Sequence, residues 1–202
     1  MGNDKKDFLF RFLPTHVRNA LQFDEEALYS TTDQLTAEKI CKDLLKVVSS
    51  NATLTDATAC IGGSCFSMSK VFKKVFAIEI DPQRFHFLCQ NVNTLGVHDV
   101  VTCLHGDAML ICKELQQDLI FLDPPWGGPE YKNLSAVSLS LSGVPLAEVC
   151  KELSEYAMYI AIKVPKNFDE LTFLSDTHGV LEIVLKNTNL RKMHLLVLRR
   201  KI

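Results

Sequence analysis

The sequence predicts an α/β fold: a mostly parallel sheet buried between helices, with an antiparallel pair of strands at its C-terminal edge. Residues 36–202 are expected to form the core domain, and residues 1–35 a short helical extension packed on it. Three observations predict this. Short apolar runs alternate with helical patterns from "ATLTDATA" to "MYIAIKV", as in βαβ units whose strands are buried on both faces. Two apolar runs, "VLEIVLK" and "KMHLLVLR", close the chain with the polar turn "NTNLR" between them, which fits an antiparallel pair. The 202 residues are 47% hydrophobic and 23% charged, enough apolar material for one core and too little charge for wholesale disorder.

The elements follow in order. "DFLFRFLPTHVRNALQFDEEALYSTTD" mixes aromatics, a proline and both charge signs and reads as short helices or irregular structure. A helix is expected from Thr36, its N-cap, with Ile40, Leu44, Leu45, Val47 and Val48 as the apolar face. "ATLTDATA" reads as a strand, "SCFSMSKVF" as the start of a helix and "KVFAIEI" as a strand. "DPQRFHFLCQNVNTL" is a helix opening on Pro82 and closing before Gly96. Strand "DVVTCLH", short helix "AMLICKEL" and strand "DLIFL" come next, then a helix over 145–156, strand "MYIAIKV", a helix near "FDELTFLSDT" and the final pair.

Composition narrows the function. The net charge is -2, so a nucleic-acid partner would be held by a local handle, since grip along a long backbone needs an excess of Lys and Arg. The seven cysteines are never in a C-x-x-C pair and read as buried thiols in a reducing compartment. No apolar run approaches the ~20 residues of a membrane span. The start "MGNDKK" has Lys6 where a myristoylation signal wants Ser or Thr. These features describe a soluble, intracellular protein, cytoplasmic or nuclear, with no membrane partner and a monomeric state.

Open α/β sheets bind ligands at the carboxyl ends of their strands. The first strand closes on Asp56 and passes through a small-residue loop carrying Gly62 and Gly63, whose backbone can approach a ligand at a helix N-terminus. Cys60 stands where a dinucleotide loop would place a glycine. The second strand ends in "AIEIDP", where Glu79 suits a pair of ribose hydroxyls and Asp81 suits the cap of the next helix. The third ends in "HGDA", placing Asp107 to bond an adenine amino group or to cap a helix. Together they describe a nucleoside site, and no Walker-type lysine accompanies it. A nucleoside without phosphates, bearing an amino-acid carboxylate, is S-adenosylmethionine, and the element order is that of a class I S-adenosylmethionine-dependent, Rossmann-like methyltransferase fold.

The fourth strand runs into Asp123-Pro124-Pro125-Trp126, which holds the only tryptophan. An exocyclic amine is a poor nucleophile because its lone pair is delocalised into the ring. A carboxylate and a backbone carbonyl accepting its two N–H bonds draw it toward a reactive geometry. Paired prolines fix that carbonyl and remove competing N–H groups, and the aromatic ring gives a base a plane to stack on. Asp123, Pro124 and Trp126 are therefore the candidate catalytic residues, with Asp123 also bordering the cofactor. Transfer is expected to be direct, without a covalent enzyme intermediate or a metal.

With "DATACIGG", "AIEIDP", "HGDA" and "DPPWGGPEY" in this order, the chain resembles the catalytic domain of trimethylguanosine synthases, in a compact form close to the catalytic core. The likeness runs from about Tyr29 to the C-terminus, and its most specific part is P-P-W-G-G-P-acid-Y. It implies methylation of the 2-amino group of a 7-methylguanosine RNA cap. By this resemblance Gly62 and Gly63 face the methionine part of the cofactor, Glu79 the ribose and Asp107 the adenine. Thr32, in the "YSTTDQLTAEKI" segment similar to the family's aromatic-S-x-T, closes the cofactor site. Trp126 stacks on the base, with Tyr131 beside it in the motif, and Asp123 stands where the family often has serine. A cationic 7-methylguanine over Trp gains roughly 0.5–2 kcal/mol beyond ordinary stacking. Arg11, Arg18, Lys132, Lys166, Arg191 and Lys192 are candidate holders of the cap triphosphate. Alternatives at this level are guanine 2-amino methylation of ribosomal or transfer RNA, adenine or protein-glutamine methylation, and a non-catalytic cap- or cofactor-binding subunit.

Overall fold

The computed structural model describes residues 2–201, with side chains from Lys5 to Lys201. Three short helices come first: α1 (Gly2–Leu9), α2 (Thr15–Ala20) and α3 (Glu25–Ser30). Leu9, Phe10, Leu13, Leu21, Ala27 and Leu28 turn inward and pack with Ile61 of the glycine loop. A buried amide fastens this segment: Asn91 accepts from the Gln22 N–H (2.8 Å) and donates to the carbonyls of Gln22 (2.9 Å) and Ile61 (3.0 Å).

Helix α4 (Gln34–Leu44) begins two residues before the expected Thr36. Asp33 is its cap, accepting from the Thr36 N–H (3.3 Å) and hydroxyl (2.7 Å). A carboxylate satisfies orphan donors of the first turn, and Thr36 becomes one of those donors. The helix ends at Leu44; Val47 and Val48 lie in the following turn yet still pack on the core.

The alternating core follows as β1 (Thr53–Asp56), α5 (Gly63–Met68), β2 (Lys74–Glu79), α6 (Pro82–Thr94), β3 (Val101–His105), α7 (Ala108–Ile111) and β4 (Leu119–Leu122). Then come a 3-10 turn (Pro129–Asn133) and a small ribbon, β5 (Ser140–Leu141) with β6 (Val144–Pro145). The ribbon takes Pro145, so α8 starts one residue later (Leu146–Leu153) than expected. Strand β7 (Tyr159–Pro165), α9 (Glu170–Asp176), β8 (Leu181–Asn187) and β9 (Met193–Arg200) complete the chain.

Seven strands form one sheet in the order β3-β2-β1-β4-β7-β9-β8. Strands β3, β2, β1, β4 and β7 are parallel, while β9 runs antiparallel to both β7 and β8. The antiparallel pair is present as expected, but the last strand lies inside it and β8 takes the edge. Burial explains the choice: Leu195, Leu196, Val197 and Leu198 are all fully buried, which suits a strand covered on both faces, whereas most of β8 is half-exposed. The chain winds outward from β1 to β3 and then returns to the other side at β4, so β1 and β4 flank the switch point where such sheets bind ligands. The Ala57 N–H donates to the Phe121 carbonyl (2.9 Å) there, holding the two strand ends together.

Candidate active site

The loop after β1 is shaped by left-handed backbone. Cys60 has φ +50° and Gly62 φ +89°; the second requires glycine, and the first is the position where a glycine would be usual. A Cβ on Gly63 would lie 2.4 Å from Thr31 Cγ2, so this glycine is needed for the approach of the N-terminal arm. Glu79 ends β2 buried, with Oε1 accepting from the Asp81 N–H (2.8 Å). Asp81 itself caps α6 through the Arg84 N–H (2.8 Å), as expected. Asp107 caps α7 by accepting from the Met109 N–H (2.9 Å). Among the described residues, Glu79 and Asp107 each accept one hydrogen bond from a backbone N–H, on one carboxylate oxygen. Ile80, directly after Glu79, is 57% exposed, an apolar face beside the acid.

Asp56 and Asp123 meet at the switch point. Asp56 is fully buried, accepts from the Thr58 N–H (3.2 Å) and from the Cys65 thiol (3.5 Å). Burial pushes its carboxyl up to about 7, with the nearby Asp123 charge adding to the effect. The Asp123 N–H donates to Thr58 Oγ1 (2.7 Å), and its carboxylate is paired with the Lys163 ammonium. Burial raises the Asp123 carboxyl above its ordinary value; the charge and hydrogen bond of Lys163 and a hydrogen bond from Thr32 oppose the rise. Lys163 also donates to Thr32 Oγ1 (2.6 Å). Ser30, Thr31 and Thr32 thus lie across the glycine loop, leaving a cavity of about 20 Å³ bordered by Asp56, Gly63 and Asp123. That volume holds about one water.

Pro124 is buried and Pro125 exposed, then Gly127 (φ +88°) and Gly128 (φ +72°) swing the chain through a turn that only glycine makes without strain. Trp126 is half-buried, its ring met edge-on by Tyr131 at 5.2 Å and 86°. Its indole N–H is buried and has no partner among the described residues. Beyond Tyr131 opens a cleft of about 530 Å³ lined by Tyr131, Lys132, Leu134, Lys166, Asn167, Arg191 and Lys192. Asn167 donates to the carbonyls of Tyr131 and Leu134 (both 2.8 Å), and Val137 pairs with Phe168, so the turn is stitched to the end of β7.

Four of the six cations expected to hold phosphate therefore line one cleft. Arg11 is near but not in it: its guanidinium lies 4.2 Å from the Phe8 ring and donates to the Phe8 carbonyl (3.2 Å). Arg191 reaches the same ring at 5.8 Å. Arg18 is turned away into a pair with Asp7 (3.4 Å) and a hydrogen bond to Thr15 Oγ1 (3.1 Å). Lys5, beside Tyr29, is lowered by partial burial and by the charges of Lys192 and Lys132, so the cleft's positive field extends to α1. Sequence reasoning missed Lys163 and Asn167. The signal for Lys163 was a lone cation inside the apolar run of β7, with no other charge between Tyr159 and Pro165.

This strand order and crevice define a class I methyltransferase fold. A precorrin-6y methyltransferase from Geobacter metallireducens shares it, with a TM-score of 0.60 at 15% identity over 90% of this chain and 94% of that one; at that identity the likeness concerns the fold alone. Residues 51–194, well over half of the chain, match the RNA cap guanine-N2 methyltransferase family, and the chain belongs to it. It is 30% identical over 152 residues to an uncharacterized protein of Acanthamoeba polyphaga mimivirus, covering 73% of this chain and 58% of that protein. It is 29% identical over 165 residues to the trimethylguanosine synthase of Schizosaccharomyces pombe, covering 77% of this chain and 68% of that one. The matches thus span 58% and 68% of these relatives' length. Among the described residues no helix is long and apolar enough to cross a membrane.

Proposed function

We propose that the chain transfers a methyl group from S-adenosylmethionine to the exocyclic 2-amino group of 7-methylguanosine RNA caps. The observation that carries this reading is the placement of Trp126 between the Asp123–Pro124 acceptors and the cationic cleft. A base stacked on that ring has amine acceptors on one side and phosphate-binding cations on the other.

The residues present fit the cofactor. Gly62 and Gly63 keep the loop free of side chains, Glu79 retains an oxygen for the ribose, and Asp107 retains one for the adenine amino group. The exposed Ile80 offers an apolar face for the adenine ring. Asp56 supports the floor through Thr58, and Thr32 closes the roof. When bound, S-adenosylmethionine supplies an electrophilic sulfonium methyl.

The chain's own residues do the rest. Asp123 and the Pro124 carbonyl accept the two N–H bonds of the amine, raising the density on its nitrogen and fixing its direction. The proton lost on methylation passes to Asp123 or to water. Trp126 stacks on the cationic base for roughly 0.5–2 kcal/mol beyond ordinary stacking, and Tyr131 holds the plane of that ring from its edge. Lys132, Lys166, Arg191 and Lys192 take the triphosphate, with Arg11 adding to the field from the turn after α1. Much of the rate comes from proximity and orientation. The partner is capped RNA, the enzyme acts as a monomer, and its free cysteines suit a reducing cytoplasmic or nuclear compartment.

Tritiated methyl transfer from S-adenosylmethionine to 7-methyl-GTP, GTP and uncapped RNA tests the reading. Incorporation into 7-methyl-GTP is expected. Incorporation into uncapped RNA alone, or none at all, rules it out.

A further inference from the structure

One buried cation belongs to no part of the mechanism above. Lys163 lies in β7 at 3% exposure, with Ile162 and Val164 buried on either side of it. Lysine is almost never this buried unless paired, and a buried ion pair is weak evidence for stability, since well-packed apolar residues often do as well. What the ammonium touches is informative. It pairs with the Asp123 carboxylate, donates to Thr32 Oγ1 at 2.6 Å and stands 5.3 Å from the centroid of the Trp126 ring. A single side chain therefore contacts the amine acceptor, the N-terminal arm and the ring proposed to carry the base.

We propose that Lys163 is a positioning residue for methyl transfer, holding Asp123 in the acceptor state and latching the Thr32 arm over the site. The inference rests on the reading of Asp123 as acceptor for the amine. Four groups face Asp123: Lys163 from β7, Asp56 from β1, the Thr32 hydroxyl from the arm and the Thr58 hydroxyl from the glycine loop. Burial favours the protonated acid. A protonated oxygen donates a hydrogen bond where the amine needs an acceptor. Lys163 is the one cation among these four groups, and its charge and hydrogen bond act the other way, as does the Thr32 hydrogen bond. Because the same ammonium binds Thr32, the acceptor is set when the arm is down, which couples closure over the cofactor to readiness of the carboxylate.

The test is the pH dependence of kcat on 7-methyl-GTP for the wild type, Lys163→Met, Lys163→Arg and Thr32→Val. Lys163→Met is expected to move the acidic limb to higher pH and to lower kcat at neutral pH by ~100-fold, the lower end of what one positioned proton-handling group contributes. Lys163→Arg is expected to restore the limb in part. Thr32→Val, which keeps the ion pair but loses the Thr32 hydrogen bonds, is expected to move the limb in the same direction by less than Lys163→Met and to raise the KM for S-adenosylmethionine. Emission of Trp126, the only tryptophan, followed against pH without substrate, reads the same titration independently of turnover and is expected to shift with Lys163→Met. If Lys163→Met does not fold, the Asp123→Asn, Lys163→Met double variant is used for the emission titration, and it is expected to lack the transition. An unmoved limb in an active Lys163→Met enzyme overturns the proposal and leaves cap methylation standing. A uniform loss of kcat, equal in the Met and Arg variants with no shift in limb or emission, overturns it as well. Absence of transfer by the wild type refutes the cap reading itself, and the emission titration then decides the Lys163–Asp123 linkage alone.

Discussion

The two halves of the crevice are built by opposite means. On the side of β1 to β3, each acid is held by its own neighbours: Glu79 by the N–H two residues on, Asp81 three on and Asp107 two on. On the side of β4 and β7 the contacts cross the chain. Thr32 and Lys163 are 131 residues apart, Lys163 and Asp123 are 40, and Tyr131 and Asn167 are 36. The first half consists of local parts that form with their own turns. The second exists only when sheet, arm and proline-rich loop are all in place, so changes there are expected to couple where changes in the first half add.

The largest expected effect lies in the second half. Replacing Lys163 by Met leaves the Asp123 carboxylate without its partner in a site where the two side chains are 3% and 18% exposed, and removal of one buried partner costs about 3–5 kcal/mol. Urea unfolding of Lys163→Met, Asp123→Ser and the double variant measures this. The double variant is expected to be more stable than the Lys163→Met single. Independent, additive losses would mean that the two groups do not act as a unit.

Asp56 sits on the seam between the halves, and its prediction is in pH. Its carboxyl rises from 3.8 to about 7 on folding, chiefly through burial. The folded state therefore holds the proton more tightly than the unfolded chain. The resulting stabilisation is full below about pH 4 and is lost as the pH rises through about 7, by at most ~4 kcal/mol. Asp56→Asn cannot ionise, so its stability relative to wild type is expected to improve steadily across that window. A constant difference in unfolding free energy from pH 4 to 7 would mean that Asp56 is charged when folded.

Trp126→Ala removes one stacking plane, for which about 1–3 kcal/mol per base is typical. Calorimetry is expected to show ~10–100-fold weaker binding of 7-methyl-GTP with cofactor affinity within about twofold. Matching losses of both ligands would make the ring a structural support. Smallest are the single cations: Lys166→Ala, Arg191→Ala and Lys192→Ala are each expected to weaken cap binding by a few-fold and to flatten its salt dependence by about one charge. Lys39→Ala, whose residue does not line the cleft, is expected to change neither.

The same contrast explains what the sequence made legible. The alternation of strands and helices, the acids at successive strand ends and the proline-rich motif were readable because each is a short pattern with a local cause, such as Asp81 capping the helix it precedes. The cap of α4 was misplaced by three residues because Asp33 and Thr36 are both competent, and only the fold shows the carboxylate accepting from the threonine. The position of β9 inside β8 follows from burial on two faces, which its run of apolar residues hinted at without stating. Lys163 went unread because its partners lie far away in sequence, and an isolated lysine in a strand has no spacing to interpret. Arg18 and Arg11 show the reverse: composition offered them as phosphate ligands, and local pairing with Asp7 and Phe8 occupies them elsewhere.

The most direct measurement is the quenching of Trp126 emission by 7-methyl-GTP and by GTP, since the chain holds no other tryptophan. The cationic base is expected to quench and to bind about 2- to 30-fold more tightly than the neutral one, the factor that ~0.5–2 kcal/mol of cation–aromatic attraction provides. Equal quenching by both nucleotides, or none by either, would contradict a cap site built on this ring.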